Sequence, residues 1–121
     1  MRTIAVIGAG MMGSGIAQSS AQSGLDVLIS DISSANAERG KAGIEKALFK
    51  LVSRGKLEEA AVAETLARIT PIEGYDAMGT ADLIIEAATE REDIKLAIIE
   101  QAGKVLGPNA IMASNTSSIP I

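Results

Sequence analysis

Three short stretches of this 121-residue sequence hold the residue types that could do chemistry, and each directly follows an apolar run. The first is GAGMMG, residues 8–13, which matches G-x-G-x-x-G. The second is EAATE, residues 86–90, with Lys95 close behind it, and the third is SNTSS, residues 114–118, where four of five side chains carry hydroxyls. Glycines at the first spacing, after a strand and opening a helix, make a phosphate cradle. Gly8 permits the tight turn, Gly10 lets the backbone approach a pyrophosphate, and Gly13 allows helix and strand to pack closely. The start of the helix adds N–H groups and the positive end of a dipole.

Glycine-rich turns are common, so the pattern alone is weak, and glycines that serve only a turn are the competing reading. Asp31 strengthens the ligand reading. It stands 18 residues beyond Gly13, at the end of the second apolar run. A carboxylate there accepts hydrogen bonds from an adenosine ribose and repels a 2′-phosphate, which points to NAD over NADP. Its competing role is to cap the next helix.

Composition narrows the remaining chemistry. The chain has no cysteine and no histidine, so disulfides, thiolate or imidazole metal ligands, cysteine nucleophiles and imidazole acid/base catalysis cannot come from it. No metal site is expected, and a reducing compartment, the cytoplasm, is. A net charge of -4 with no concentrated basic surface argues against nucleic acid. No stretch approaches the roughly 18 uninterrupted apolar residues of a membrane span, and the glycines in the opening MRTIAVIGAGMMG argue against a signal peptide. With Phe49 and Tyr75 as its only aromatics, a core here is aliphatic.

The elements that must position these residues follow from the apolar pattern. Runs at 4–7, 27–29, 83–85 and 110–113, with a weaker one at 68–72, are continuous and not alternating, as in strands of a parallel sheet buried on both faces. Between them, a helix is expected over 11–23, capped by Gly24. A second starts near Ser33 and Ser34, carries Ile44, Ala47, Leu48, Leu51 and Val52 on one face, and breaks at Gly55. A third covers 58–67, with Glu58 and Glu59 in its first turn, and pairs with the second as a helical hairpin inserted between strands. A last helix runs over 92–106, with Thr89 and Glu92 at capping-box spacing and a stop at Gly107-Pro108. Alternating strand and helix make an α/β, doubly wound, mainly parallel sheet. In such a sheet the three stretches and Asp31 all lie at the edge formed by the strands' carboxyl ends, where ligands bind.

The combination GAGMMGSGIA from Gly8, Asp31, IIEAATE at 84–90, Lys95 and SNTSS from Ser114 resembles the L-3-hydroxyacyl-CoA dehydrogenases, and most closely the bacterial 3-hydroxybutyryl-CoA type, over all 121 residues. The resemblance implies a Rossmann-type NAD-binding domain over 1–121, incomplete at its C-terminal end. It implies NAD held by Gly8, Gly10, Met12, Gly13 and Asp31, with Glu90, Lys95 and Asn115 on the nicotinamide-ribose side. Ser117 would hydrogen-bond the substrate oxygen at the reacting carbon, and Lys50, Arg54 and Lys56 would lie where a coenzyme A thioester places its phosphates. Glu90 and Lys95 could instead be an exposed pair, Ser117 a helix cap, and the hairpin cations a solvated face.

The chain departs from the family pattern in one respect. The histidine that serves the family as general base, the glutamate that orients it, and the helical domain that completes the acyl pocket and the homodimer are absent. The chain is therefore expected to be the cofactor part of a longer enzyme and to be inactive alone. A free-standing dinucleotide-binding module without catalysis is one alternative. A hydroxyisobutyrate-type dehydrogenase is the other, which EAATE and SNTSS fit poorly.

Overall fold

The computed structural model describes residues 2–8, 10–31, 34–73, 75–87, 92–105 and 110–114. Five strands, β1 (Thr3–Ile7), β2 (Asp26–Asp31), β3 (Ile69–Glu73), β4 (Leu83–Glu86) and β5 (Ile111–Ser114), form one sheet in the order β3-β2-β1-β4-β5. Every pairing is parallel. The order reverses at β1, between the β2 and β4 sides, which is the switch point of a doubly wound sheet.

Burial on both faces explains the continuous apolar runs. Along β1, Ile4 and Val6 enter a cluster with Ala17, Ala21, Val27, Ile44 and Leu48, while Ala5 and Ile7 enter a second cluster with Met78, Ile84 and Ala102. Successive strand residues point to opposite faces, so a central strand has no polar side to show. β3 is an edge strand, and there Pro71 is tolerated because its missing N–H falls outside the sheet's interior.

Helices α1 (Met11–Gln22), α2 (Ser34–Ser53) and α3 (Glu59–Ala67) contribute to the first cluster, and α4 (Glu92–Gly103) to the second. The hairpin of α2 and α3 lies between β2 and β3, as expected. α1 and α2 end alike. Gly24 and Gly55 take φ of +95° and +70°, and the N–H of the following residue returns to a carbonyl in the last turn, Leu25 to Ser20 at 3.1 Å and Lys56 to Leu51 at 2.9 Å. These are Schellman closures, which need a residue at ease with positive φ.

Two local expectations are corrected and one blank is filled. Glu58 is the N-cap of α3 and not part of its first turn, which holds Glu59. α4 stops at Gly103, short of 106, because the N–H groups of Lys104 and Val105 bond back three residues and tighten the chain out of the α-helix. A 3-10 turn, Asp76–Thr80, fills what the sequence left blank, and its Met78 is fully buried. Thr89, Ser33 and Gly107-Pro108 lie outside the described residues. No helix among those described is long and apolar enough to cross a membrane.

Two polar contacts fasten the ends of this framework. The Arg68 guanidinium donates to the Ala21 carbonyl at 3.0 Å, tying the start of β3 to the end of α1. Before β4, the Asp82 carboxylate accepts the backbone N–H groups of Arg2 and Thr3 at 2.9 and 3.0 Å. Those two donors hold the Asp82 carboxyl below the usual aspartate range. Its contribution to stability is therefore present at neutral pH and lost as the pH falls through the lowered value. Asp82→Ala should lower the melting temperature at pH 7, and the gap from wild type should close as melts are repeated at increasing acidity. An unchanged gap at acid pH would mean the carboxylate's charge is irrelevant there.

Candidate functional site

The edge formed by the strands' carboxyl ends gathers Gly8, Gly10, Met12, Gly13 and Asp31 from among the residues singled out by sequence. Gly8 follows β1 with φ of +112°, open to glycine and hostile to other residues. Its N–H donates to the Ser30 carbonyl at 2.7 Å, locking the loop to the neighbouring strand. Gly10 is the N-cap of α1, in extended conformation and with no side-chain cap. Gly13, in the first turn, is buried against the loop. A Cβ on it would lie 1.8 Å from the Gly8 carbonyl oxygen. A Cβ on Gly10 would meet nothing within 4 Å.

These two glycines thus act differently. Gly13 is fixed by packing, whereas the space at Gly10 is open on the outer side of the loop, over the positive end of α1. The first turn of α1 contains no acidic side chain to neutralise that end. Backbone N–H groups in such a turn suit an anion that approaches closely, and the shape agrees with a pyrophosphate. Met12 stands beside it, 50% exposed.

Asp31 is the last residue of β2 and is half-buried. Register puts Ser30 opposite Ile7, the residue before Gly8, so Asp31 adjoins the glycine loop. On the other side of β1, Glu86 pairs with Ile7 and with Ser114 of β5. Glu86 is fully buried, and no buried side-chain polar atom among the described residues lacks a hydrogen-bond partner. That satisfied burial favours a structural role for it.

Lys50, Arg54 and Lys56 do not share that edge. Lys50 lies in the last turn of α2, and Arg54 and Lys56 follow in the turn toward α3, all exposed. At about 1.5 Å per residue, α2 carries Lys50 roughly 24 Å along its axis from Ser34. Lys50 there lines a separate depression of about 410 Å³ with Glu45, Lys46, Phe49 and Ser53. Lys95 falls within α4, with its side chain outside the description, and Glu90, Asn115 and Ser117 lie outside the described residues. Sequence reasoning missed Asp82 and Arg68, whose partners are backbone groups far along the chain and leave no local pattern.

A parallel sheet with this order, a glycine cradle after β1 and a carboxylate after β2 define a dinucleotide-binding domain of the Rossmann type. The family described as 3-hydroxyacyl-CoA dehydrogenase, NAD binding domain, matches residues 3–121, and the chain belongs to it. It is 48% identical over 117 residues to a probable 3-hydroxybutyryl-CoA dehydrogenase of Deinococcus radiodurans, covering 96% of this chain and 41% of that protein. It is 43% identical over 121 residues to the 3-hydroxyadipyl-CoA dehydrogenase of Escherichia coli, covering 100% of this chain and 26% of that one. The crystal structure of (S)-3-hydroxybutyryl-CoA dehydrogenase from Ralstonia eutropha superposes with a TM-score of 0.96 at 46% identity, over 100% of this chain and 43% of that one. The chain thus spans less than half the length of these relatives, and its cofactor is NAD.

The contrast between the two glycines is testable. Gly10→Val should abolish NAD binding by calorimetry while the melting temperature stays near wild type, since the side chain enters only the open space. Gly13→Ala should instead destabilise the fold by about 1 to 3 kcal/mol, the usual cost of overpacking against an unyielding neighbour. Undiminished NAD binding by Gly10→Val would reduce the loop to a turn.

Proposed function

We propose that this chain is the cofactor-holding part of an enzyme that interconverts a short-chain 3-hydroxyacyl-CoA and its 3-oxoacyl-CoA, with 3-hydroxybutyryl-CoA the first substrate to try. The observation that carries the reading is the open space at Gly10, over an uncapped helix start and beside Asp31. NAD, when bound, supplies the hydride acceptor. Gly8, Gly10, Met12 and Gly13 form its binding loop, with Gly10 admitting the pyrophosphate, Asp31 holds its adenosine ribose, and Glu90, Lys95 and Asn115 its nicotinamide side. The three relatives described above, each a dehydrogenase of a 3-hydroxyacyl-CoA, support the substrate class.

Ser117 donates a hydrogen bond to the substrate oxygen at the reacting carbon. It holds that oxygen and stabilises negative charge there, but a serine hydroxyl is far too weakly acidic to serve as the base. Loss of the hydroxyl proton needs a positioned group that titrates near neutral pH, and the chain has no histidine. The base belongs to a further helical domain, which also completes the acyl pocket and pairs two copies of a cytoplasmic enzyme. Lys50, Arg54 and Lys56 receive coenzyme A phosphates on the hairpin.

Two measurements check this reading. Asp31→Ala should weaken NAD binding by about 1 to 3 kcal/mol, the scale of hydrogen bonds to a charged group, and equal affinity of wild type for NADP would overturn the ribose assignment. Formation of NADH from 3-hydroxybutyryl-CoA, followed at 340 nm, should be absent with residues 1–121 alone and present with the complete protein. Ser117→Ala in the complete protein should slow it on the order of 10²-fold, as for loss of one donor to developing negative charge. A Ser117→Ala enzyme as fast as wild type would remove Ser117 from the chemistry.

A further inference from the structure

The cradle is built without a cationic side chain. Residues 8–22, the loop and all of α1, contain no lysine or arginine. A helix N-terminus offers only about half an elementary charge, whereas a dinucleotide's pyrophosphate is a dianion. The rest of the counter-charge must come from another element or from dissolved ions.

α2 lies beside α1, and a depression of about 460 Å³ runs between them, with Gly10, Ser14 and Gly15 on one wall and Arg39 and Gly43 on the other. Arg39 is the basic residue on that lining. It is exposed, and among the described residues it makes no hydrogen bond or ion pair. Gly15 and Gly43 keep the passage clear. Glycine is a poor helix former, yet a Cβ at either position would meet nothing within 4 Å, so packing does not demand it. The open side of Gly10 and the free guanidinium thus face a shared space with no large side chain of α1 or α2 required between them.

We infer that Arg39 is a further cofactor-binding residue, its guanidinium reaching across the α1–α2 depression to the pyrophosphate held at Gly10. The inference rests on the NAD reading above. Guanidinium suits the task because its planar fork donates two parallel N–H bonds to phosphate oxygens, which a lysine cannot imitate. Arg39 and Asp31 then grip the adenosine diphosphate half with opposite charges, cation to phosphate and carboxylate to ribose, which fixes which end of the dinucleotide enters where.

The test uses the complete protein and compares wild type with Arg39→Gln, Arg39→Lys and Lys41→Gln. Lys41→Gln removes the same charge from α2, two residues along and off the depression's lining. Calorimetry at low and moderate salt gives affinities for NAD and ADP-ribose. Arg39→Gln should weaken both ligands equally, by about tenfold or more at low salt, with a smaller loss as salt rises. It should raise KM for NAD and leave kcat near wild type. Arg39→Lys should recover part of the loss, and Lys41→Gln should bind as wild type. Wild-type affinity in Arg39→Gln, or equal weakening in Lys41→Gln, would overturn the inference while leaving the cofactor reading intact. Failure of the wild-type protein to bind NAD would overturn both.

Discussion

The contact between Gly13 and Gly8 is the constraint on which the rest depends. A Cβ at Gly13 would lie 1.8 Å from the Gly8 carbonyl oxygen and 2.8 Å from its carbon, so the first turn of α1 rests directly on the backbone of the loop. That closeness sets the direction of α1. Its N-terminus opens at the carboxyl edge of the sheet, and its body covers β1 and β2 through Ala17 and Ala21, residues small enough to sit at zero exposure beneath the helix. The Gly8 N–H held by Ser30 couples the same loop to β2, which is how Asp31 comes to lie beside it. One tight backbone approach therefore positions the anion site and the carboxylate together.

Much of this was legible in the sequence because it depends on local pattern. Continuous apolar runs gave the strands, since burial on both faces leaves no alternation, and Gly24 and Gly55 marked helix ends because few other residues accept positive φ. The cradle was legible for the same reason. Its glycines answer to a steric need that the spacing itself expresses.

What was not legible depends on distant partners. Asp82 reads as one more acid before a strand, yet its carboxylate gathers the N–H groups of Arg2 and Thr3 from some 80 residues away. Arg68 reads as a cation at a strand start, yet it satisfies a carbonyl at the end of α1. Met78 and its 3-10 turn carry no periodicity to betray them, because five residues are too few to show a period. The end of α4 was overestimated for a related reason: the apolar residues continue past Gly103, but the backbone bonding does not.

The electrostatics of the edge also separate gripping from chemistry. On the proposed reading, the helix dipole and backbone N–H groups hold the anionic part of the ligand and the Asp31 carboxylate accepts from its hydroxyls, which together set one orientation. With neither histidine nor cysteine, the chain lacks the side chains that ordinarily exchange protons near neutral pH. Orientation still has kinetic value. A hydride moves only between carbons held close and aligned, and fixing one partner against a rigid sheet removes much of the entropic cost of that alignment. On the proposed reading, the sheet and α1 keep one reactant still, and the group that takes the proton need only arrive with the other.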